Sequence, residues 1–137
     1  MTTFVDTSGL LAFLDDDDQF HSAAALFMND SRASDEQLLT HNYLVVEAAA
    51  LVGRRLGAVA LRGLLVDIVP QIEVVLVDEA LHAQIVAVHL AALPRRTSLV
   101  DLASFAIMRE RGVNRAFAYD EDFVRAGFDL VRPARRE

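Results

Sequence analysis

The sequence predicts an α/β fold, a three-layer α/β/α sandwich with a central, mainly parallel sheet. Three observations carry that expectation. Short β-prone runs alternate with apolar stripes of helical period from one end of the chain to the other. The breaks between them are brief and marked by Asp, Ser, Gly and Pro. No linker, fixed-period repeat or low-complexity segment interrupts the pattern, so the 137 residues, 53% of them hydrophobic, suit a single domain over 1–137. A domain of this length buries roughly 68–70% of the surface its unfolded chain exposes, which is core enough without staples.

Thr3-Phe4-Val5 is a first strand ending in Asp6, and Thr7 and Ser8 offer capping hydroxyls to a helix through Leu14. Asp15 to Asp18 form a charged break. Phe20, Ala23, Ala24, Phe27 and Met28 then recur at helical spacing, and this second helix ends near Asn29-Asp30-Ser31. Gln37 to Thr40 is a second strand, followed by Asn42 and a long helix with Leu44, Ala48, Leu51 and Val52 on one face. Gly57 separates it from a helical stretch, Ala58 to Val69, closed by Pro70. Val74 to Val77 is a strand, and Asp78 caps a helix whose Leu81, Ile85, Val88 and Ala92 form a core stripe before Pro94. Thr97 or Ser98 caps the helix Leu99 to Arg111, stopped by Gly112. Arg115 to Tyr119 is a strand ending in Asp120, and Phe128 to Val131 a last strand before a basic tail.

Composition removes several chemistries. Without cysteine there are no disulfides, thiolate metal sites or cysteine nucleophiles. All 13 basic residues are arginine, which excludes P-loop and Schiff-base lysines. A net charge of −7 means that a nucleic-acid partner needs local arginines or bridging metal ions. The longest stretch free of formal charge, Ala80 to Pro94, contains two histidines and falls short of the roughly 20 apolar residues of a membrane span. The start of the chain does not read as a signal peptide. A cytoplasmic protein is therefore expected.

In a parallel α/β sheet, ligands sit beyond the C-terminal ends of the strands. Asp6, Asp78 and Asp120 follow strands directly, and Glu47 and Asp101 lie early in helices. Glu47 has Tyr43, Leu44, Ala50 and Leu51 as helical neighbours, and an ionised acid beside an apolar stripe needs a partner. Asp101 is set among Leu99, Val100, Leu102 and Ala103. No lysine is available to neutralise such a cluster, although like charges about 4 Å apart repel by roughly 4 kcal/mol at an effective dielectric of 20. A divalent cation resolves the conflict, and an all-oxygen ligand set favours Mg²⁺ or Mn²⁺. The chemistry such a metal implies is phosphodiester hydrolysis.

Asp6-Thr7-Ser8-Gly9-Leu10-Leu11, Glu47 within Asn42-Tyr43-Leu44-Val45-Val46-Glu47, Ser98-Leu99-Val100-Asp101, and Tyr119-Asp120-Glu121-Asp122-Phe123 together resemble the PIN-domain ribonuclease pattern. Their order and spacing are similar to the VapC toxins of bacterial type II toxin–antitoxin modules, over essentially the whole chain. The resemblance implies that Asp6, Glu47, Asp101 and Asp120 are the acidic quartet that binds Mg²⁺ or Mn²⁺ and cleaves RNA, with a water activated by the metal as nucleophile. It implies supporting roles for Asp122 and for Thr7, Ser8, Asn42 and Ser98, which would orient the carboxylates. It further implies a tRNA or rRNA target, a homodimer, and inhibition by a cognate VapB-like antitoxin.

Each acid has a plainer reading beside the catalytic one. Asp6 is a helix N-cap in its own right and Asp101 suits a helix dipole, whereas no cap explains Glu47. Asp78 reads as a cap alone. Asp15 to Asp18 read as a solvated helix terminator, His21 and His41 as hydrogen-bonding residues, and His82 and His89 as poorly spaced for a ligand pair. Arg54, Arg55, Arg95 and Arg96 flank the acids and serve either as phosphate contacts or as surface charge. Three rivals stand against the nuclease: a receiver-type signalling domain, disfavoured by the missing lysine; a non-catalytic PIN-like scaffold; and a housekeeping RNA-processing nuclease without an antitoxin.

Overall fold

A computed structural model describes residues 1–131. Five strands, β1 (Thr2–Val5), β2 (Gln37–His41), β3 (Glu73–Val75), β4 (Arg115–Phe117) and β5 (Asp129–Leu130), pair in the order β3-β2-β1-β4-β5, every pair parallel. Helices α1 (Thr7–Leu14), α2 (His21–Ala33), α3 (Asn42–Leu56), α4 (Ala58–Arg62), α5 (Glu79–Ala92), α6 (Leu99–Arg111) and α7 (Asp122–Arg125) complete the expected three-layer α/β/α sandwich. The central strand β1 is buried from Thr3 to Val5, as a parallel strand covered on both faces must be. Its Phe4 packs with Leu39, Leu44, Ile107, Met108, Phe117 and Phe123 in one core.

The strand order places the functional end of the sheet. From β1 the chain moves outward through β2 and β3, then returns to the other side of β1 for β4 and β5. The direction of winding reverses between β1 and β4, and at such a switch point the connections diverge and leave a crevice at the C-terminal strand ends. Asp6 and Asp120 follow those two strands.

Several elements differ from expectation for local reasons. The cap of α1 is Asp6, which accepts the Ser8 N–H, rather than a hydroxyl of Thr7 or Ser8. Strands β3 and β4 are shorter than Val74 to Val77 and Arg115 to Tyr119, because side chains take over the next backbone donors. The Asn42 side-chain oxygen accepts the Val77 N–H at 2.7 Å, and the Ser8 hydroxyl accepts the Tyr119 N–H at 2.9 Å. The stretch 58–69 divides into α4, a π-helical turn Gly63–Ile68 and a 3-10 turn Val69–Gln71, where Pro70 sits in the first turn and its missing N–H costs nothing. The one-turn helix α7 was not foreseen. The last strand covers only Asp129–Leu130, and the basic tail lies outside the described residues.

Two residues assigned to the core are exposed. Val88 is 55% exposed because α5 buries only Ile85, which faces the packed side of the helix. Phe20, counted in the apolar face of the second helix, precedes α2 and is 39% exposed.

Gly9 fixes how closely α1 approaches the sheet. A Cβ there would lie 2.4 Å from the Phe117 carbonyl oxygen and 2.7 Å from its ring. Gly9→Ala is therefore expected to push α1 off β4, lower stability by about 1–3 kcal/mol as overpacking does, and displace Asp6 with the helix. Thermal unfolding and crystallography of the variant check both effects. Asp78, by contrast, accepts the Leu81 N–H at 2.8 Å as the α5 cap. Asp78→Ala should cost about 0.5–2 kcal/mol in denaturant unfolding and leave RNA cleavage unchanged.

Candidate active site

Five carboxylates from different elements meet at the crevice. Asp6 leaves β1 as the N-cap of α1, buried, with its carboxylate accepting the Ser8 N–H at 3.1 Å and the Ser8 hydroxyl at 2.6 Å. Asp120 follows β4, and its Oδ1 accepts the N–H of Asp122 in the first turn of α7 at 2.9 Å. Asp101 stands in the first turn of α6, where the Ser98 hydroxyl accepts the Asp101 N–H at 3.0 Å. Glu47, in the second turn of α3, accepts a hydrogen bond from the Thr7 hydroxyl at 2.9 Å, which ties α3 to α1. One carboxylate oxygen from each of Asp101, Asp120 and Asp122 lies within 4.8 Å of the others.

Electrostatics unites the five. The Asp101 carboxyl is pushed up to about 7, first by burial and then by the negative charges of Asp6, Asp120, Glu47 and Asp122. Burial pushes Asp6 up to about 6, against the Ser8 hydrogen bonds that favour its ionised form, with Asp120 adding to the rise. Among the described residues, the one arginine paired with the group is Arg125, which forms an ion pair with Asp122. Five acids with so little cationic compensation match a divalent ion in charge. Oxygen-only donors in a group this tight match a hard one in chemistry.

The supporting residues divide. Thr7 and Ser8 bond carboxylates directly, whereas Ser98 fixes Asp101 through its backbone. Asn42 bonds no carboxylate among the described residues: its side-chain oxygen accepts the Val77 N–H, which anchors the exit of β3 to α3. Asp122, given a supporting role by the resemblance, sits inside the tight group with Asp101 and Asp120. Its placement depends on the α7 turn, for which the sequence carries little signal beyond the acid two residues after Asp120.

His41 has a larger structural part than its sequence position suggests. It is fully buried at the end of β2. Its Nδ1 accepts the Leu44 N–H at 3.2 Å, so its proton resides on Nε2, which donates to the Ser104 hydroxyl at 2.9 Å. Ser104 donates onward to the Val100 carbonyl at 3.0 Å. Burial lowers the imidazole to about 4, so it is neutral and joins the helix of Glu47 to the helix of Asp101.

Comparison with known proteins identifies the family. The PIN domain family matches residues 3–129. The chain is 35% identical over 133 residues to the 23S rRNA-specific endonuclease VapC20 of Mycobacterium tuberculosis, covering 95% of this chain and 98% of that protein. The crystal structure of M. tuberculosis VapC20, a sarcin–ricin loop cleaving toxin, superposes with a TM-score of 0.84 at 31% identity, over 97% of this chain and all of that one. FitAcB from Neisseria gonorrhoeae shares the fold, with a TM-score of 0.65 at 17% identity over 97% of this chain and 98% of that one. With the family matched over nearly its whole length and the acids gathered at the switch point, the chain belongs to the PIN-domain family.

Proposed function

We propose that this protein is a metal-dependent endoribonuclease that hydrolyses RNA phosphodiester bonds, the toxin of a VapBC-type pair. Asp6, Glu47, Asp101 and Asp120 are its catalytic carboxylates. The observation that carries the reading is the meeting of Asp101, Asp120 and Asp122 within 4.8 Å, in the field of Asp6 and Glu47 and with no lysine in the chain.

Asp101, Asp120 and Asp122 would hold Mg²⁺ or Mn²⁺, with Asp6 and Glu47 completing the negative field. When bound, the metal supplies Lewis-acid charge to the phosphate and lowers the pKa of attacking water. The chain's own contribution is placement. Ser8 holds the Asp6 carboxylate with two hydrogen bonds, and Thr7 holds Glu47, so neither reorganises as charge develops on the phosphate. With its carboxyl pushed up to about 7, Asp101 is partly protonated in the metal-free chain at neutral pH, and a bound cation would favour its ionised form.

Ribosomal RNA is the preferred target over tRNA, because the full-length relative at 35% identity is a 23S rRNA-specific endonuclease. A homodimer and a cognate VapB-like antitoxin complete the proposal. The exposed Val88, Leu90 and Leu93 on and after α5 supply apolar surface for such a contact. Expressed alone in bacteria, the chain should arrest growth and leave a discrete 23S rRNA fragment, both relieved by co-expression of its antitoxin. Intact RNA in arrested cells would count against ribonuclease action.

A further inference from the structure

Beside the carboxylates lies a pocket of about 240 Å³ that their chemistry leaves unused. It falls below the about 300–1,000 Å³ of sites for drug-sized molecules, and its volume suits one heterocycle. One wall is aromatic. The rings of Phe20 and Tyr119 are stacked in parallel, 4.3 Å between centroids and 3° between planes. Tyr119 also meets Phe117 edge to face at 6.1 Å, and Phe117 stacks on Phe27 at 4.5 Å. Phe20, at the end of this series, keeps 39% of its surface in solvent.

The remaining walls are polar. Asp15 and Asp18 line the pocket, each with Oδ1 committed to a backbone N–H of its own loop, Asp17 at 3.0 Å and Phe20 at 2.8 Å. Each retains a second oxygen as an acceptor. Arg55, in the last turn of α3, is exposed, lines the same pocket and has no ion-pair partner among the described residues. Ser8 is shared with the carboxylate site, since its hydroxyl donates to Asp6 and accepts the Tyr119 N–H.

We infer that this pocket receives an unpaired guanine base of the RNA, stacked on the Phe20–Tyr119 pair and read by Asp15 and Asp18, with Arg55 on a neighbouring phosphate. The inference rests on the endoribonuclease reading and adds the nucleotide it selects. Aromatic rings accept any base, because every base has a π-face. Carboxylates choose among them. Guanine presents N1–H and the 2-amino group side by side, two donors matched to acceptor-only oxygens. Adenine, cytosine and uracil each set a ring or carbonyl acceptor beside their donor, which a carboxylate repels. Ser8 places the bound nucleotide next to Asp6, so the selected base adjoins the bond that is cut.

The test titrates GMP, AMP, CMP and UMP into the full chain in EDTA, following the Phe20 and Tyr119 ring signals by NMR. GMP should shift both rings and bind at least about 5-fold tighter than the other three. Phe20→Ala should weaken GMP binding by about 10-fold or more, and Phe20→Tyr should restore it. Asp18→Asn should erase the preference for GMP over AMP while stacking persists. Unmoved rings, or a Phe20→Ala variant with wild-type GMP affinity and wild-type KM for RNA, overturns the site; equal affinity for all four nucleotides overturns guanine as its ligand. Because binding is read without turnover, a chain that binds GMP but cuts no RNA overturns the nuclease reading alone. A chain that cuts RNA while ignoring all four nucleotides overturns the base site alone.

Discussion

Asp101→Asn is expected to abolish RNA cleavage and to leave the metal-free protein as stable as wild type or more so. Loss of a carboxylate from the metal group forfeits several kcal/mol of charge stabilisation on the phosphate, so the rate should fall by about 10²–10³-fold or more. Stability moves the other way. Asp101 is pushed up to about 7 by burial and four neighbouring acids, so its ionised form is a burden on the metal-free fold at neutral pH. The amide removes that burden with almost no change of shape. Asp6→Asn should match it in activity, and because asparagine is also an effective N-cap, α1 should stay in place. Cleavage assays beside thermal unfolding in EDTA separate the two effects. A variant that lost activity by unfolding would show it in the melt.

Metal and pH should act on stability in opposite directions. Asp6 and Asp101 titrate near 6 and 7 in the fold, against about 4 in the unfolded chain. Between about pH 4 and pH 7 the folded state therefore binds more protons than the unfolded state at these two sites. Their contribution to stability is fully favourable below about pH 4 and is lost as pH rises through 6 and 7. Saturating Mn²⁺ or Mg²⁺ should reverse the trend, since the cation binds the ionised carboxylates and its affinity climbs over the same window. The check is a series of melting temperatures from about pH 5 to about pH 8, with EDTA or with metal, in wild type and in the Asp6→Asn, Asp101→Asn double variant. The difference between the two proteins isolates these groups from the other acids. In the double variant the metal-dependent rise should vanish.

Much of this molecule was legible before its structure. The alternation of apolar runs announced the parallel sheet, and acids placed directly after strands announced where its working end lies. Four motifs in order, and their resemblance to the PIN pattern, singled out Asp6, Glu47, Asp101 and Asp120, and the structure sets these four in one electrostatic group. The strand order was not legible, and with it the switch point between β1 and β4, because pairing is decided by long-range packing that local periodicity does not encode. The resemblance gave Asp122 a supporting role only, and its place in the tight group was not legible for a related reason: a four-residue helix has too few turns to show a period. Asn42 was misjudged because its neighbourhood in the chain points to Glu47, while its partner, Val77, lies across the sheet on the exit of β3. Phe20 looked like core since its spacing fits the α2 stripe, yet it precedes the helix and turns to Tyr119. Spacing reports the face a residue would occupy in a helix, and at helix ends the chain has already turned away.

The most direct measurement is cleavage of purified ribosomal RNA by the purified chain in Mn²⁺, Mg²⁺ or EDTA, with Asp101→Asn run in parallel. Discrete fragments that appear with metal, disappear in EDTA and are absent from the folded variant are the expected result. Equal cleavage by wild type and Asp101→Asn, or cleavage that persists in EDTA, would contradict the carboxylate group as the catalytic centre.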